Sequence, residues 1–177
     1  KYSSLAASCV FLALIFALLS FGKGRRDLPF VVPPGWPPPS HDFAKNPVTE
    51  AGFLLGSRLF YDPVLSKDST ISCASCHLSF TAFTHIDHRL SHGIYGRMGI
   101  RNSPTLINLA WSGAFMWDGA AKSLAEQAMR PITNPTEMDN TLEAVVQKLN
   151  TNQTYRARFY QAFGDSAATA EGLLHAL

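Results

Sequence analysis

The chain has 177 residues, 46% of them hydrophobic and 16% charged, with a formal net charge of +2. That length holds one domain with additions, and a near-neutral chain with no basic run interleaved with aromatics excludes a nucleic-acid partner. Of three cysteines, two sit close together and Cys9 stands alone, which excludes a disulfide framework within one chain.

Ser4 to Phe21 is an uncharged, strongly apolar run. It is short for a spanning helix, which needs about 20 apolar residues, and long for the core of a signal peptide. Lys23, Arg25 and Arg26 follow it, on the side that the positive-inside tendency disfavours for an exported body. Residues 1–26 therefore read as a signal or a membrane anchor. The chain begins with Lys1 rather than methionine, so it reads as a processed product or a piece of a longer protein. Residues 27–45 read as a stiff linker, because Pro29, Pro33, Pro34, Pro37, Pro38 and Pro39 sustain neither a helix nor a central strand.

The folded domain is expected over residues 46–177. Pro47 suits a first helical turn, and Ala51, Leu54, Leu55 and Leu59 fall on one helical face that ends at Asp62-Pro63. Residues 84–101 form a loop punctuated by Gly93, Gly96 and Gly99. Ser103-Pro104 is expected to start a short helix running to Trp111. Ser123 and Glu126 match a capping box, so a helix is expected from there to just before Pro131. Leu142, Val145, Val146 and Leu149 mark another helix, and Tyr155, Phe159 and Phe163 a further one closed by Gly164. A last helix starts near Ala167. No strand alternation stands out, and the fold class is all-α and loop-rich, behind an apolar N-terminal segment.

Cys73-Ala-Ser-Cys76-His77 carries the clearest chemistry. Two thiols at this spacing add to the two vinyl groups of haem, and the adjacent histidine becomes the proximal iron ligand. A zinc site requires a second ligand pair, and a thioredoxin-like site requires a βαβ context. Cys73, Cys76 and His77 are therefore expected to bind one covalent haem c, attached outside the cytoplasm. An electron carrier fills the second iron face with Met or His, whereas a catalyst leaves it open or openable. Met98, Met116, Met129, Met138, His85, His88 and His92 are all candidates for that position.

Four longer stretches go further: LGSRLFYDPVLSKDSTISCASCH, GRMGIRNSPTLINLAW, FMWDGAAKSLAEQA and PITNPTEM. Together they resemble the N-terminal, peroxidatic haem domain of the bacterial di-haem cytochrome c peroxidases, a family that includes the methylamine-utilisation di-haem enzyme. The resemblance implies a cytochrome c-like haem domain. It implies that Glu137 is the distal acid/base that moves a proton between the two oxygens of peroxide, with Gln127 a polar neighbour beside it. It implies that Trp117 lies between two haems as an electron route. It implies that Asn102 belongs to an inter-domain calcium site and that His92, in a loop with glycine hinges, is the distal haem ligand of the resting enzyme, with His88 as a competitor.

The family carries a second haem c on a second domain, and this chain has no second CxxCH. The activity so implied is reduction of hydrogen peroxide with electrons from a small c-type cytochrome, in the periplasm, at the inner membrane if the anchor is kept, with a homodimer as the expected assembly. Two alternatives stay open: an electron-transfer subunit of a membrane complex, and a di-haem oxidase of another substrate.

Overall fold

The computed structural model describes residues 26–177. The apolar run and Cys9 lie outside the described residues. Six α-helices carry the domain: α1 Glu50–Tyr61, α2 Cys73–Cys76, α3 Leu124–Thr133, α4 Leu142–Thr151, α5 Gln153–Phe163 and α6 Ala170–Ala176. Strand pairing among the described residues is confined to isolated bridges, so this part of the chain is all-α. No helix among them is long and apolar enough to cross a membrane.

Capping chemistry starts most of these helices. Thr49, Ser123, Thr141 and Thr169 each accept a backbone N–H from the first turn, and Asn152 accepts two. Pro47 therefore lies before α1 rather than inside it. Gly164, at φ 84°, closes α5 in the left-handed conformation glycine adopts freely. Helix α1 packs on α5, α6 and the haem-motif turn α2, while α4 packs on α5 and α6. Their shared core holds Leu55, Leu59, Ile132, Val145, Leu149, Tyr155, Phe159 and Leu173.

Three local expectations need correction. Leu54 is half exposed, because Leu55, Gly56 and Leu59 form the buried stripe of α1. Helix α3 runs through Pro131 to Thr133. A proline this late in a helix forfeits one hydrogen bond to the preceding turn, while the turns beyond bind the helix end through Met138 N–H to Pro131 O and Asn140 N–H to Ile132 O. The helix expected from Ser103 is extended chain followed by a single 3₁₀ turn, Leu109–Trp111. Thr105 donates to Ala82 O, and Asn108 takes a left-handed φ of 58°, which together redirect the backbone.

The proline-rich segment, which its composition casts as a spacer, lies against the domain. Phe30 and Trp36 pack on Trp111 with ring centroids 5.5 and 4.7 Å away, and Trp111 Nε1 donates to Pro37 O at 2.8 Å. Ser40 Oγ donates to Trp111 O, and His41 N–H donates to Ala110 O. Aromatic contacts outweigh the extended preference of prolines here, because the segment's apolar side chains have a neighbouring indole to cover.

A candidate haem cavity and its distal wall

Helix α2 is one turn long, so Cys73 and Cys76 emerge on nearly the same side of it. Ser72 N–H donates to Ser75 Oγ at 3.1 Å and holds the turn's entry. His77 N–H closes it on Cys73 O at 2.9 Å. Beyond it, Ala82 and Phe83 both adopt positive φ, 58° and 59°. Such backbone is strained for residues with side chains and persists where tertiary structure over-determines it. Its effect is to aim Phe83 O at His77 Nδ1, 2.7 Å away. A carbonyl only accepts, so Nδ1 carries the hydrogen and the lone pair on Nε2 is free. That is the tautomer an iron-ligating histidine needs, set by a backbone carbonyl behind it.

Cys73, Cys76, His77, His92, Gln127 and Glu137 line one cavity, with Phe60, Leu106, Leu109, Leu124, Pro131 and Met138 supplying apolar walls. The space amounts to about 800 Å³ including its open mouth. Burial pushes the Cys73 thiol up to about 12 and raises Cys76 as well, so both keep their protons. Burial lowers His77, which keeps its imidazole neutral. Among the described residues no group of three His, Cys, Asp or Glu converges as a metal site. Two thiols one helical turn apart, an imidazole with its Nε2 freed and a largely apolar cleft fit haem c, and without a converging ligand set among the described residues they do not fit zinc.

Glu137 enters this cavity from the turn after α3. Its Oε1 accepts from Asn134 Nδ2 at 2.7 Å. Burial raises its carboxyl above the usual range, and the Asn134 hydrogen bond opposes that rise. The backbone behind it is clamped: Ile94 N–H donates to Glu137 O at 2.8 Å, and Gly93 lies directly against Thr136 and Glu137. Gln127, in the first turn of α3 after its cap at Ser123, lines the same cavity and donates to Met116 Sδ at 3.9 Å.

The candidates for the second iron face separate. His92 and Met138 line the cavity, and Met98 is more than half exposed. Met116 lies in an adjoining cleft, and Met129 lines neither space. His85, His88 and His92 stack in series, with ring centroids 4.4 and 4.1 Å apart. His92 Nε2 and His85 Nδ1 are buried without a hydrogen-bond partner. His88 is exposed and does not reach the cavity.

Trp117 is not on the cavity wall. It lines the adjoining cleft, which shares Leu106, Leu109, Leu124 and Gln127 with the haem cavity. Its indole is 63% exposed, and Nε1 donates to Asn102 O at 2.6 Å. Asn102 Nδ2 donates to His85 O at 3.0 Å, while its Oδ1 is buried without a partner. Asn134, Gly93 and the carbonyl of Phe83 are the site residues that sequence reasoning passed over. Asn134-Pro135 is a turn signal, and that signal was the one available clue to the first of them.

The comparisons with known proteins agree on one family. The profile described as di-haem cytochrome c peroxidase matches residues 50–177. This chain belongs to that family. It is 39% identical over 125 residues to the methylamine utilization protein MauG of Methylorubrum extorquens, covering 67% of this chain and 33% of that protein. It is 40% identical over 124 residues to the cytochrome c551 peroxidase of Nitrosomonas europaea, covering 70% of this chain and 36% of that protein. Among solved structures, a MauG-like protein associated with microbial copper homeostasis matches with a TM-score of 0.74 at 32% identity, covering 84% of this chain and 44% of that chain. The chain thus spans about a third of the length of the curated relatives it matches. Family membership makes haem c its cofactor, with two haems in the full-length members.

Proposed function

We propose that this chain is the peroxidatic haem domain of a di-haem peroxidase, reducing hydrogen peroxide to water with electrons from a small c-type cytochrome. The balance is one peroxide, two electrons and two protons to two waters. The observation that carries this reading is that His77 and Glu137 line one cavity, with Gln127 beside them. Cys73 and Cys76 would hold the haem covalently, and His77 Nε2 would bind its iron. When bound, the haem supplies the electrons that break the O–O bond. Glu137 takes the proton from one peroxide oxygen and returns it to the other, so that water leaves. Gln127 orients the peroxide through its amide. The apolar walls exclude competing water.

His92 would be a further residue of this chain to hold the haem iron, and its orphaned Nε2 supports that role. Trp117, exposed beside Asn102, passes electrons from the haem domain that the rest of a full-length family member supplies. Asn102 Oδ1 contributes one oxygen to a calcium ion at the same junction. Haem attachment through CxxCH supports a periplasmic location, with residues 1–26 as a signal or anchor. A permanently six-coordinate electron carrier has no use for a buried carboxyl and an amide in its haem cavity, which disfavours the carrier alternative.

The test is Glu137→Gln in the haem-loaded, full-length protein. Loss of a positioned acid/base lowers peroxide turnover by about 10²- to 10⁴-fold. An unchanged rate in that variant overturns the reading.

A further inference from the structure

Glu137 has two carboxyl oxygens, and proton movement requires that one of them be free. Asn134 decides which. Thr136 N–H and Thr136 Oγ–H both donate to the Asn134 side-chain oxygen, each at 3.0 Å. A backbone N–H only donates, so the atom facing it must be Oδ1. The amide nitrogen of Asn134 therefore faces Glu137, and it donates to Oε1 at 2.7 Å. Among the described residues this is the carboxyl's one hydrogen-bond partner. The same asparagine holds the backbone of the turn, because its carbonyl accepts Glu137 N–H and Asp139 N–H, both at 3.0 Å.

We propose that Asn134 is the positioning residue of the Glu137 carboxyl: its amide reserves Oε1 as an acceptor and leaves Oε2 as the oxygen that takes up and returns the peroxide proton. This rests on the reading of Glu137 as the proton-moving group. Two independent devices then set the acid/base. Gly93 and Ile94 fix where the Glu137 backbone sits. Asn134 fixes how the carboxyl is turned and which oxygen stays available.

The other titratable groups facing this cavity are the Cys73 and Cys76 thiols, His77 and His92, and none of them hydrogen-bonds the carboxyl. Asp139, two residues on, is directed away to Lys67 and Arg97. A hydrogen bond donated to a carboxylate favours its ionised form, and burial favours the neutral one. Asn134 is thus the local group that keeps a buried Glu137 able to act as a base.

The discriminating variant is Asn134→Asp. It is isosteric and keeps the acceptor that ties Thr136, so the turn survives, but it replaces the donor to Oε1 with a second carboxylate oxygen. In the haem-loaded, full-length protein we expect kcat/KM for hydrogen peroxide to fall by about 10²-fold at neutral pH, the scale of a misplaced catalytic group. The rate should rise in the pH range where the two facing carboxyls share one proton, the introduced carboxyl then donating as the amide did, and fall again at lower pH, where Glu137 itself is protonated.

A readout separate from turnover is the infrared C=O band of protonated Glu137, assigned by its loss in Glu137→Gln. In Asn134→Ala that band should persist to higher pH than in the parent protein. Asp139→Asn loosens the same turn from its outer side, where Asp139 pairs with Lys67 and Arg97, without touching the Asn134 or Glu137 side chains, and should leave rate and band unchanged. If Asn134→Asp and Asn134→Ala keep the parent rate, pH profile and band while Glu137→Gln is inactive, the positioning role is wrong and the Glu137 reading stands. If Asp139→Asn loses as much rate as Asn134→Asp, Asn134 is only a turn residue and the proposal falls. If Glu137→Gln is itself fully active, the proposal falls together with the reading beneath it.

Discussion

Gly93 lies against Glu137 so closely that no side chain fits between them: a Cβ on Gly93 would stand 2.5 Å from both the α-carbon and the carbonyl oxygen of Glu137. The histidine loop and the acid/base turn are therefore one packed unit, because His92 immediately precedes Gly93 and Ile94 donates to Glu137 O. Gly93→Ala forces that unit apart. Overpacking a tight contact costs about 1–3 kcal/mol, so the thermal midpoint should drop. Peroxide turnover should fall by more than the loss of folded protein explains. A variant with the parent midpoint and parent rate would show that the contact has slack.

Gly56 plays the matching part in the core. A Cβ there would overlap the carbonyl of Ala176, where α1 crosses the end of α6. Gly113, by contrast, has nothing within 4 Å of its would-be Cβ. We expect Gly56→Ala to destabilise the domain by about 1–3 kcal/mol and Gly113→Ala to leave it within about 0.5 kcal/mol of the parent, both read by denaturant unfolding. Equal effects at the two sites would contradict the helix crossing described here.

Asp139 supplies a pH dependence with a definite sign. Lys67 first, and Arg97 with it, hold its carboxyl below the ordinary value of 3.8. A carboxyl lowered by folding contributes stability above its unfolded value and loses it as pH falls through the folded one. Asp139 also has a φ of 47°, a backbone conformation that asparagine tolerates. Asp139→Asn therefore removes the charge without straining the turn. Its thermal midpoint should lie below the parent's by a constant margin above about pH 5, and that margin should close as pH drops below 3.8. The effect should shrink in high salt, because the Lys67 and Arg97 side chains of both ion pairs are substantially exposed. A margin that persists at the lowest pH would mean that packing, not charge, accounts for it.

Trp111 is the attachment point of the proline-rich segment. Trp111→Ala removes two aromatic contacts, each worth about 0.5–1.5 kcal/mol, and the Nε1 hydrogen bond to Pro37. Limited proteolysis should then cut within residues 28–43 faster than in the parent protein, and Trp36 emission should shift to the red. Because Leu109, in the same 3₁₀ turn, forms part of the haem cavity wall, the absorption band of the covalently held haem should shift too. Unchanged proteolysis would mean that the segment is held by contacts other than the indole.

The sequence alone determined the parts of this protein that depend on local chemistry. The two thiols and the histidine of residues 73–77 are close in sequence, so their spacing specifies their attachment geometry before any fold exists. Helices α4 and α5 were legible because their apolar residues recur at the helical period, and Gly164 was legible as a stop because it supplies a left-handed residue at no cost. Family resemblance named Glu137, but nothing local to it sets its environment.

Only the tertiary structure decided what required distant segments to meet. Leu54 and Leu55 look alike in sequence, and packing against α5 and α6 buries one and exposes the other. Pro131 reads locally as a helix stop, and the burial of Ile132 just beyond it outweighs one lost hydrogen bond. The prolines before residue 40 read as a spacer until Trp111, more than 70 residues away, offers them an aromatic surface. Phe83 fixes the tautomer of His77 through a backbone atom, which carries no side-chain signature at all. Glu137 becomes a buried carboxyl only where a loop glycine more than 40 residues upstream leaves room for its backbone to approach. Residue identity sets which chemistry is available, and long-range close packing, which local sequence does not encode, sets where each group faces and how far its proton affinity moves.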